Sequence, residues 1–216
     1  MDKPIVYNFR VRPVMILFAK APVPGDVKTR LAAAIGASHA AELHTAFVAD
    51  MIEKLNAFKD FSDIELHTDI PTDAWKKLPV TRRLQAPGNL ELKLFHALTE
   101  AFGEGRTHVI ILGSDSPTLP RAYIQSLLDA TADVALGPCE DGGYYAIGCR
   151  RAHPDMFASV EWSTGRVLEQ TESALRACGL TCERGEMWYD VDGLVDLARL
   201  MAEPALPDYT RQALGL

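Results

Sequence analysis

The amino-acid sequence predicts an α/β fold, a mostly parallel central sheet with helices on both faces. Three observations carry that reading. Short β-type runs alternate with longer helical stretches along the 216 residues, an order that builds βα units rather than a bundle or a sandwich. Two of the runs, Val14–Ala19 and Val109–Leu112, are continuous and apolar, as buried strands are. No internal repeat, low-complexity tract or long linker interrupts the chain. Residues 1–216 are therefore expected to form one domain, with residues 1–13 as an N-terminal extension.

The elements follow in order. After Val14–Ala19 comes a Pro- and Gly-punctuated loop from Lys20 to Asp26, then helix over Leu31–Ile35 and a break at Gly36. Ser38 is placed to cap a second helix reaching about Phe58, in which Leu43, Phe47, Met51 and Leu55 form one apolar face. Ile64–Thr68 reads as a second strand, Arg82–Ala86 as a weaker third and Asn89–Phe102 as helix. Val109–Leu112 is the central strand, closed sharply by Gly113-Ser114-Asp115-Ser116-Pro117. A helix is expected from Pro120, tolerated in a first turn, to about Ala130. Two strands, Asp133–Gly137 and Tyr144–Gly148, flank the tight turn Glu140-Asp141-Gly142-Gly143. Thr164–Cys178 is expected to be helical with Ser163 as its cap, Met187–Val191 a last strand and Leu194–Met201 a last helix.

Composition narrows the function. The chain is 48% apolar and carries 22 basic against 29 acidic residues, a net charge of −7. That balance argues against binding a DNA or RNA polymer, which needs a basic footprint, but a few local cations can still hold a small nucleotide. Cys139, Cys149, Cys178 and Cys182 form no Cys-x-x-Cys pair, and His39 and His44 have no ligand cluster around them, so no zinc site is expected. Sparse free thiols fit a reducing cytoplasm, the expected location. Lys3, Arg10 and Arg12 precede an apolar run too short for a signal peptide, and nothing approaches a spanning helix.

In open α/β sheets ligands bind beyond the carboxyl ends of the strands, and several segments place polar residues there. Lys20, Lys28 and Arg30 gather positive charge around Gly25 at the start of a helix, an anion site with spacing unlike a Walker A loop. The bland alternative is a proline-stiffened loop with solvated lysines, since neither Lys28 nor Arg30 looks like core. Asp115, after Ser114 at the end of the central strand, is placed to hold Mg²⁺ or Mn²⁺ against a diphosphate, or else to make an Asx-turn. Asp190 and Asp192 alternate with Val191, so in an extended strand both carboxylates project the same way, and Asp192 is also positioned as a helix cap. Gly142 and Gly143 allow close backbone approach beside Asp141, and Tyr144 offers a ring; a plain hairpin turn is the alternative. Trp162 more often packs than binds.

These motifs, from Phe18-Ala19-Lys20-Ala21-Pro22-Val23-Pro24-Gly25 and Lys28-Thr29-Arg30-Leu31, through Gly113-Ser114-Asp115-Ser116-Pro117 and Gly137-Pro138 with Asp141-Gly142-Gly143-Tyr144, to Trp162-Ser163-Thr164 and Asp190-Val191-Asp192, occur in that order. Together they resemble a small bacterial family of GT-A-type glycosyltransferases, or nucleotide-diphospho-sugar transferases, over nearly the whole chain. That family is similar to 2-phospho-lactate guanylyltransferase and, more distantly, to molybdenum-cofactor guanylyltransferase. The resemblance implies a Rossmann-like GT-A sheet, a nucleotide pocket and a divalent metal, Mg²⁺ or Mn²⁺. It assigns Asp115 and Asp192 to the metal, with Asp190 beside them, and Lys28 and Arg30 to phosphate. The Gly-Gly-x-Gly-x-Arg loop of sugar nucleotidyltransferases is absent, and Asp115-Ser116-Pro117 carries one acid where many glycosyltransferases carry Asp-x-Asp.

The leading expectation is a metal-dependent transferase using a nucleotide diphospho-sugar as glycosyl donor and a small-molecule acceptor. Nucleotidyl transfer from a nucleoside triphosphate, with release of pyrophosphate, uses the same residues; a non-catalytic nucleotide-binding protein is the reading of another class. Asp115 and Asp141 are the candidate catalytic residues, with Gly142, Gly143, Tyr144 and Trp162 in a substrate loop. An acyl-transfer hydrolase is not expected, because Gly113-Ser114-Asp115-Ser116-Pro117 is not Gly-x-Ser-x-Gly. If Asp115 and Asp192 share one ion, their carboxylates must lie within about 8 Å. Asp115→Asn is expected to cost little stability, because a strand-end carboxylate contributes charge more than packing.

Overall fold

The computed structural model describes residues 12–216; Lys3, Arg10 and all but the end of the expected N-terminal extension lie outside the described residues. Seven strands form one sheet in the order β3-β2-β1-β4-β6-β5-β7. They are β1 (Val14–Ala19), β2 (Asp63–Thr68), β3 (Thr81–Leu84), β4 (Val109–Gly113), β5 (Val134–Pro138), β6 (Tyr144–Cys149) and β7 (Cys182–Arg184). The helices are α1 (Thr29–Ile35), α2 (Ala37–Asn56), α3 (Leu90–Gly103), α4 (Arg121–Asp129), α5 (Val167–Ala177), α6 (Leu194–Met201) and α7 (Asp208–Ala213). All pairings are parallel except those of β6, which runs antiparallel between β4 and β5. The tight turn after β5 sends β6 straight back, and α4 carries the chain from β4 across to the parallel β5.

Strand periodicity divides the core. Met15, Leu17 and Ala19 of β1, with Ile110 and Leu112 of β4, face α2 and α4 and meet Met51, Ile52, Leu55, Ile124 and Leu127. Their neighbours Val14, Ile16, Val109 and Ile111 face α3 and α5, against Leu94, Leu98, Leu168 and Leu175. A sheet covered on both sides explains why β1 and β4 read as unbroken apolar runs. A third cluster joins Leu31 of α1, Leu43 and Phe47 of α2, Tyr189, Val191, and Leu197 and Leu200 of α6.

Several local expectations are corrected. Gly36, at φ 88°, ends α1 and begins α2 directly, so Ser38 lies inside the first turn of α2 and does not cap it. The helix α5 starts at Val167 after Arg166; Ser163 sits at φ 63°, in the left-handed region, well before it. The expected strand Met187–Val191 reduces to a single parallel bridge, Cys139 with Trp188. The strand beside β5 comes earlier, as β7, and the pairing is interrupted where the β5–β6 register shifts at Gly137 and Pro138. The helix α7 has no counterpart in the sequence reading; Asp50 of α2 anchors it by accepting from the Tyr209 and Thr210 amides at 3.0 and 2.7 Å.

Candidate functional site

The topology selects one crevice. From β1 the chain proceeds outward to β2 and β3 on one side, while the strands after β4 lie on the other, so β1 and β4 flank the topological switch point. Their registers end level, Phe18 opposite Gly113, which sets the loop after Ala19 beside Ser114 and Asp115. Because β5 runs parallel to β4, the turn Cys139–Gly143 opens on the same edge. The segment after β7 reaches that edge too: Trp188 donates to Pro138 O, Glu140 donates to Trp188 O, and Val191 donates to Asp115 O at 2.9 Å.

That last bond brings Asp192 alongside Asp115, with Lys28 between them. The Lys28 ammonium lies 2.7 Å from Asp115 Oδ1 and 3.1 Å from Asp192 Oδ1, and donates to the Val191 carbonyl at 2.7 Å. The two carboxylate oxygens therefore stand no more than about 6 Å apart, within the expected limit for sharing one ion. Lys28 is not the solvated lysine of the bland reading: its side chain is 3% exposed, its ammonium lies 5.6 Å from the Phe47 ring centroid, and its backbone is left-handed at φ 47°. Burial alone would lower its pKa, but Asp115 and Asp192 outweigh that and hold it above the ordinary lysine value. Burial likewise pushes the Asp115 carboxyl up, and Lys28 more than reverses it, leaving Asp115 below the usual carboxylate range. The geometry argues against the expectation that Asp115→Asn costs little stability, because a buried ammonium has Asp115 as a partner.

The other predicted residues take distinct places. Arg30 is 77% exposed, with its guanidinium 3.5 Å from Asp192 Oδ2. Lys20 and Gly25 are exposed on the same loop, Gly25 at φ 94°. Ser114 is buried and points toward Asp115 Oδ1 at 3.5 Å. Asp190 is hydrogen-bonded to Ser116 Oγ at 2.5 Å and does not join Lys28; burial and then the Asp115 charge raise its pKa to about 6. Asp192 does not cap α6; the side chain of Asp196 accepts from the Asp192 and Gly193 amides instead. Asp141 Oδ1 accepts from Gly143 N at 2.9 Å, so the turn reading holds for it. Gly142, at φ 87°, has no room for a side chain: a Cβ there would meet Gly165 O at 2.1 Å. Tyr144 and Trp162 pack edge to face, centroids 6.4 Å apart, behind that turn rather than out of it.

Two positioning residues escaped the sequence reading. Asp69, at the end of β2, accepts from Ala21 N at 2.7 Å, and His44 Nε2 pairs with Lys20 O at 2.9 Å. Together they fix the start of the cationic loop. Asp69 carried a usable signal, since it follows a strand at the same carboxyl edge as Asp115; His44 sits on a helix face and carried none. His44 is buried, which lowers its pKa and keeps the ring neutral.

Among the described residues no group of three or more His, Cys, Asp or Glu side chains is arranged to hold a metal ion. The pair Asp115 and Asp192 nevertheless suits Mg²⁺ or Mn²⁺, which take one or two carboxylates and complete their shell with water and phosphate oxygens. A cation already bridges the two in the form of the Lys28 ammonium. Among the described residues no helix is long and apolar enough to cross a membrane.

Comparison with known proteins agrees with this architecture. A family model described as "Uncharacterized protein conserved in bacteria (DUF2064)" matches residues 61–164. The crystal structure of a candidate nucleotide-diphospho-sugar transferase from Desulfovibrio desulfuricans G20 is 32% identical, with a TM-score of 0.81, covering 88% of this chain and 86% of that one. The fold is shared with a CMP:2-keto-3-deoxy-manno-octonic acid synthetase solved with CTP (12% identity, TM-score 0.59, 95% and 100% of the two chains). It is also shared with the 4-diphosphocytidyl-2C-methyl-D-erythritol synthase of Anaerococcus prevotii DSM 20548 (10% identity, TM-score 0.56, 87% and 96%). No curated protein matches the chain. The fold and the 32% identity to that transferase define an enzyme class, the nucleotide-diphospho-sugar transferases. The chain belongs to that family.

Proposed function

We propose that the chain is a metal-dependent transferase that takes a nucleotide diphospho-sugar as glycosyl donor, acts on a small-molecule acceptor and works as one domain in the cytoplasm. The observation that carries this reading is the convergence of Asp115, Asp192, Lys28 and Arg30 at the switch point between β1 and β4. Lys20, exposed on the loop after β1, and Arg30, exposed in the first turn of α1, bind and orient the diphosphate. Lys28 keeps Asp115 ionised and holds Asp192 close to it. Asp115 and Asp192 would hold Mg²⁺ or Mn²⁺, which when bound neutralises charge building on the leaving diphosphate. Asp141 lies on the turn facing the same edge, where its exposed carboxylate orients an acceptor hydroxyl or takes its proton. Gly142 and Gly143, with Tyr144 and Trp162 packed behind them, hold that turn in place.

A thermal-shift panel of nucleotides and sugar nucleotides, with and without Mn²⁺, tests the reading. Ligand at about 100 times its dissociation constant stabilises by about 2.7 kcal/mol, so at least one sugar nucleotide should raise the melting temperature. Release of a nucleoside diphosphate from that donor supports glycosyl transfer. Release of pyrophosphate from a nucleoside triphosphate would instead establish nucleotidyl transfer at the same residues. Binding without turnover of either kind would leave a nucleotide-binding protein.

A further inference from the structure

We infer that Lys28 is a built-in counter-cation that competes with the divalent ion for Asp115 and Asp192, so that the metal enters only together with a diphosphate. The inference rests on the reading of those two aspartates as metal ligands. Four observations support it. The three N–H groups of the ammonium have three acceptors, Asp115 Oδ1, Asp192 Oδ1 and Val191 O, at 2.7, 3.1 and 2.7 Å. The side chain is enclosed, at 3% exposed, whereas the carboxylates it bridges are 40% and 35% exposed. Its left-handed backbone, φ 47° at a non-glycine residue, is a conformation held against its own preference. Arg30 adds a second positive charge on the outer oxygen of Asp192.

Without any metal, the two carboxylates already face one ammonium and one guanidinium. A hard cation needs carboxylate oxygens at about 2.0–2.6 Å, and the inner oxygens are already engaged by the ammonium. An ion seated on Asp115 Oδ1 would stand within about 5 Å of Lys28, where like charges repel in a partly enclosed site. An ion on the outer oxygens meets Arg30 as well. A diphosphate changes the sum: its negative charge attracts the ion and gives both side chains another anionic partner. Lys28 thereby keeps the site from taking up a bare divalent ion.

The test measures Mn²⁺ binding, from the free-ion electron paramagnetic resonance signal, for the wild type, Lys28→Met, Arg30→Met and Lys28→Met with Asp192→Asn. Lys28→Met is expected to bind Mn²⁺ alone at least about tenfold more tightly than the wild type. The added Asp192→Asn should erase that gain, and Arg30→Met should show a smaller one. In the wild type, inorganic pyrophosphate should raise the amount of Mn²⁺ retained with the protein in equilibrium dialysis, which is used for this arm because pyrophosphate itself removes the free-ion signal. Wild type that binds Mn²⁺ alone as tightly as Lys28→Met overturns the inference and spares the metal reading. Mn²⁺ bound by none of the proteins, with or without pyrophosphate, overturns both. A wild-type measurement covers a Lys28→Met chain that does not fold: reductive methylation of Lys28, followed by peptide mass spectrometry. Its rate should rise as Mn²⁺ and pyrophosphate displace the ammonium, while that of Lys54, half-buried and bonded to the Pro117 and Leu119 carbonyls, stays unchanged. An unaltered Lys28 rate under those conditions overturns the inference.

Discussion

Replacing Asp115 with Asn tests the central triad without any ligand. The Lys28 ammonium sits 2.7 Å from Asp115 Oδ1 with its side chain 3% exposed, so the charge cannot turn to water when its partner is neutralised. Breaking a fully buried pair from one side costs about 3–5 kcal/mol, whereas exposed pairs are worth about 0–1 kcal/mol. The Asp115 side chain is 40% exposed and Asp192 remains as a partner, which places the expected loss near 2 kcal/mol. In urea unfolding at pH 7 with a chelator present, that is a fall in midpoint of about 1 M for a slope of about 2 kcal/mol/M. Lys28→Met alone should also destabilise, because it leaves two carboxylates facing each other. The double variant should then be more stable than the two single losses predict, by at least about 1 kcal/mol. The pH dependence has a definite sign: the Asp115 carboxyl is held below its ordinary value of 3.8, so its contribution is complete above that value and disappears as pH falls through the lowered one. Asp115→Asn with an unchanged midpoint, or singles that add within about 0.5 kcal/mol, would refute the claim that this triad is mutually dependent.

Three other outcomes are expected. Arg30→Ala should weaken binding of a diphosphate ligand about tenfold in calorimetry and leave the melting temperature of the free protein unchanged, because its side chain is 77% exposed. Gly142→Ala should cost about 2 kcal/mol or more, since the new Cβ meets Gly165 backbone at 2.1 Å and φ is 87°; an unaltered melting curve would contradict that geometry. His108, 2% exposed and beside Arg150, has its pKa lowered from 6.5 to about 4, chiefly by burial. A histidine lowered in the folded state stabilises fully above its unfolded pKa and loses that contribution as pH falls, here by about 3 kcal/mol between pH 7 and 4. His108→Gln should flatten the acid side of the stability curve, and parallel curves for the two proteins would show that His108 is not the titrating group.

The parts of this structure legible in the sequence are those with a single local cause. Val14–Ala19 and Leu194–Met201 appear with the limits expected for them, because an unbroken apolar run and an amphipathic turn pattern need no distant partner to declare themselves. Asp115 and Asp192, which the structure brings together, were singled out because each stands where a hydrophobic segment ends, though the segment before Asp192 is no strand: a register shift beside Pro138 leaves it one bridge and one bond to Asp115 O. The state of Lys28 was not legible. Its burial depends on Val191, 163 residues away in the chain, arriving as an acceptor, and nothing within the loop Lys20–Arg30 records that contact. Ser38 and Ser163 were read as caps from residue type alone, but the left-handed Gly36 and Ser163 set the chain path first. The helix α7 was missed because its anchor is Asp50, a polar residue on a helix that was read only for its apolar face.

The helix α2 accounts for much of why the site is a site. Four of its residues, about one turn apart in succession, each hold a different piece of the carboxyl edge or its supports. His44 holds the Lys20 carbonyl, and Phe47 lies under the Lys28 ammonium. Asp50 anchors α7, and Lys54 donates to the carbonyls of Pro117 and Leu119, directly after Asp115 and Ser116. Burial lowers the Lys54 pKa to about 8, a cost borne to hold two backbone oxygens. The same helix presents Met51, Ile52 and Leu55 to the sheet, so its place is set by core packing. Residues committed to packing thus align the cationic loop after β1 with the acidic turn after β4. The separation of Lys28 from Asp115 is therefore inherited from the rigid body of the fold rather than from either loop.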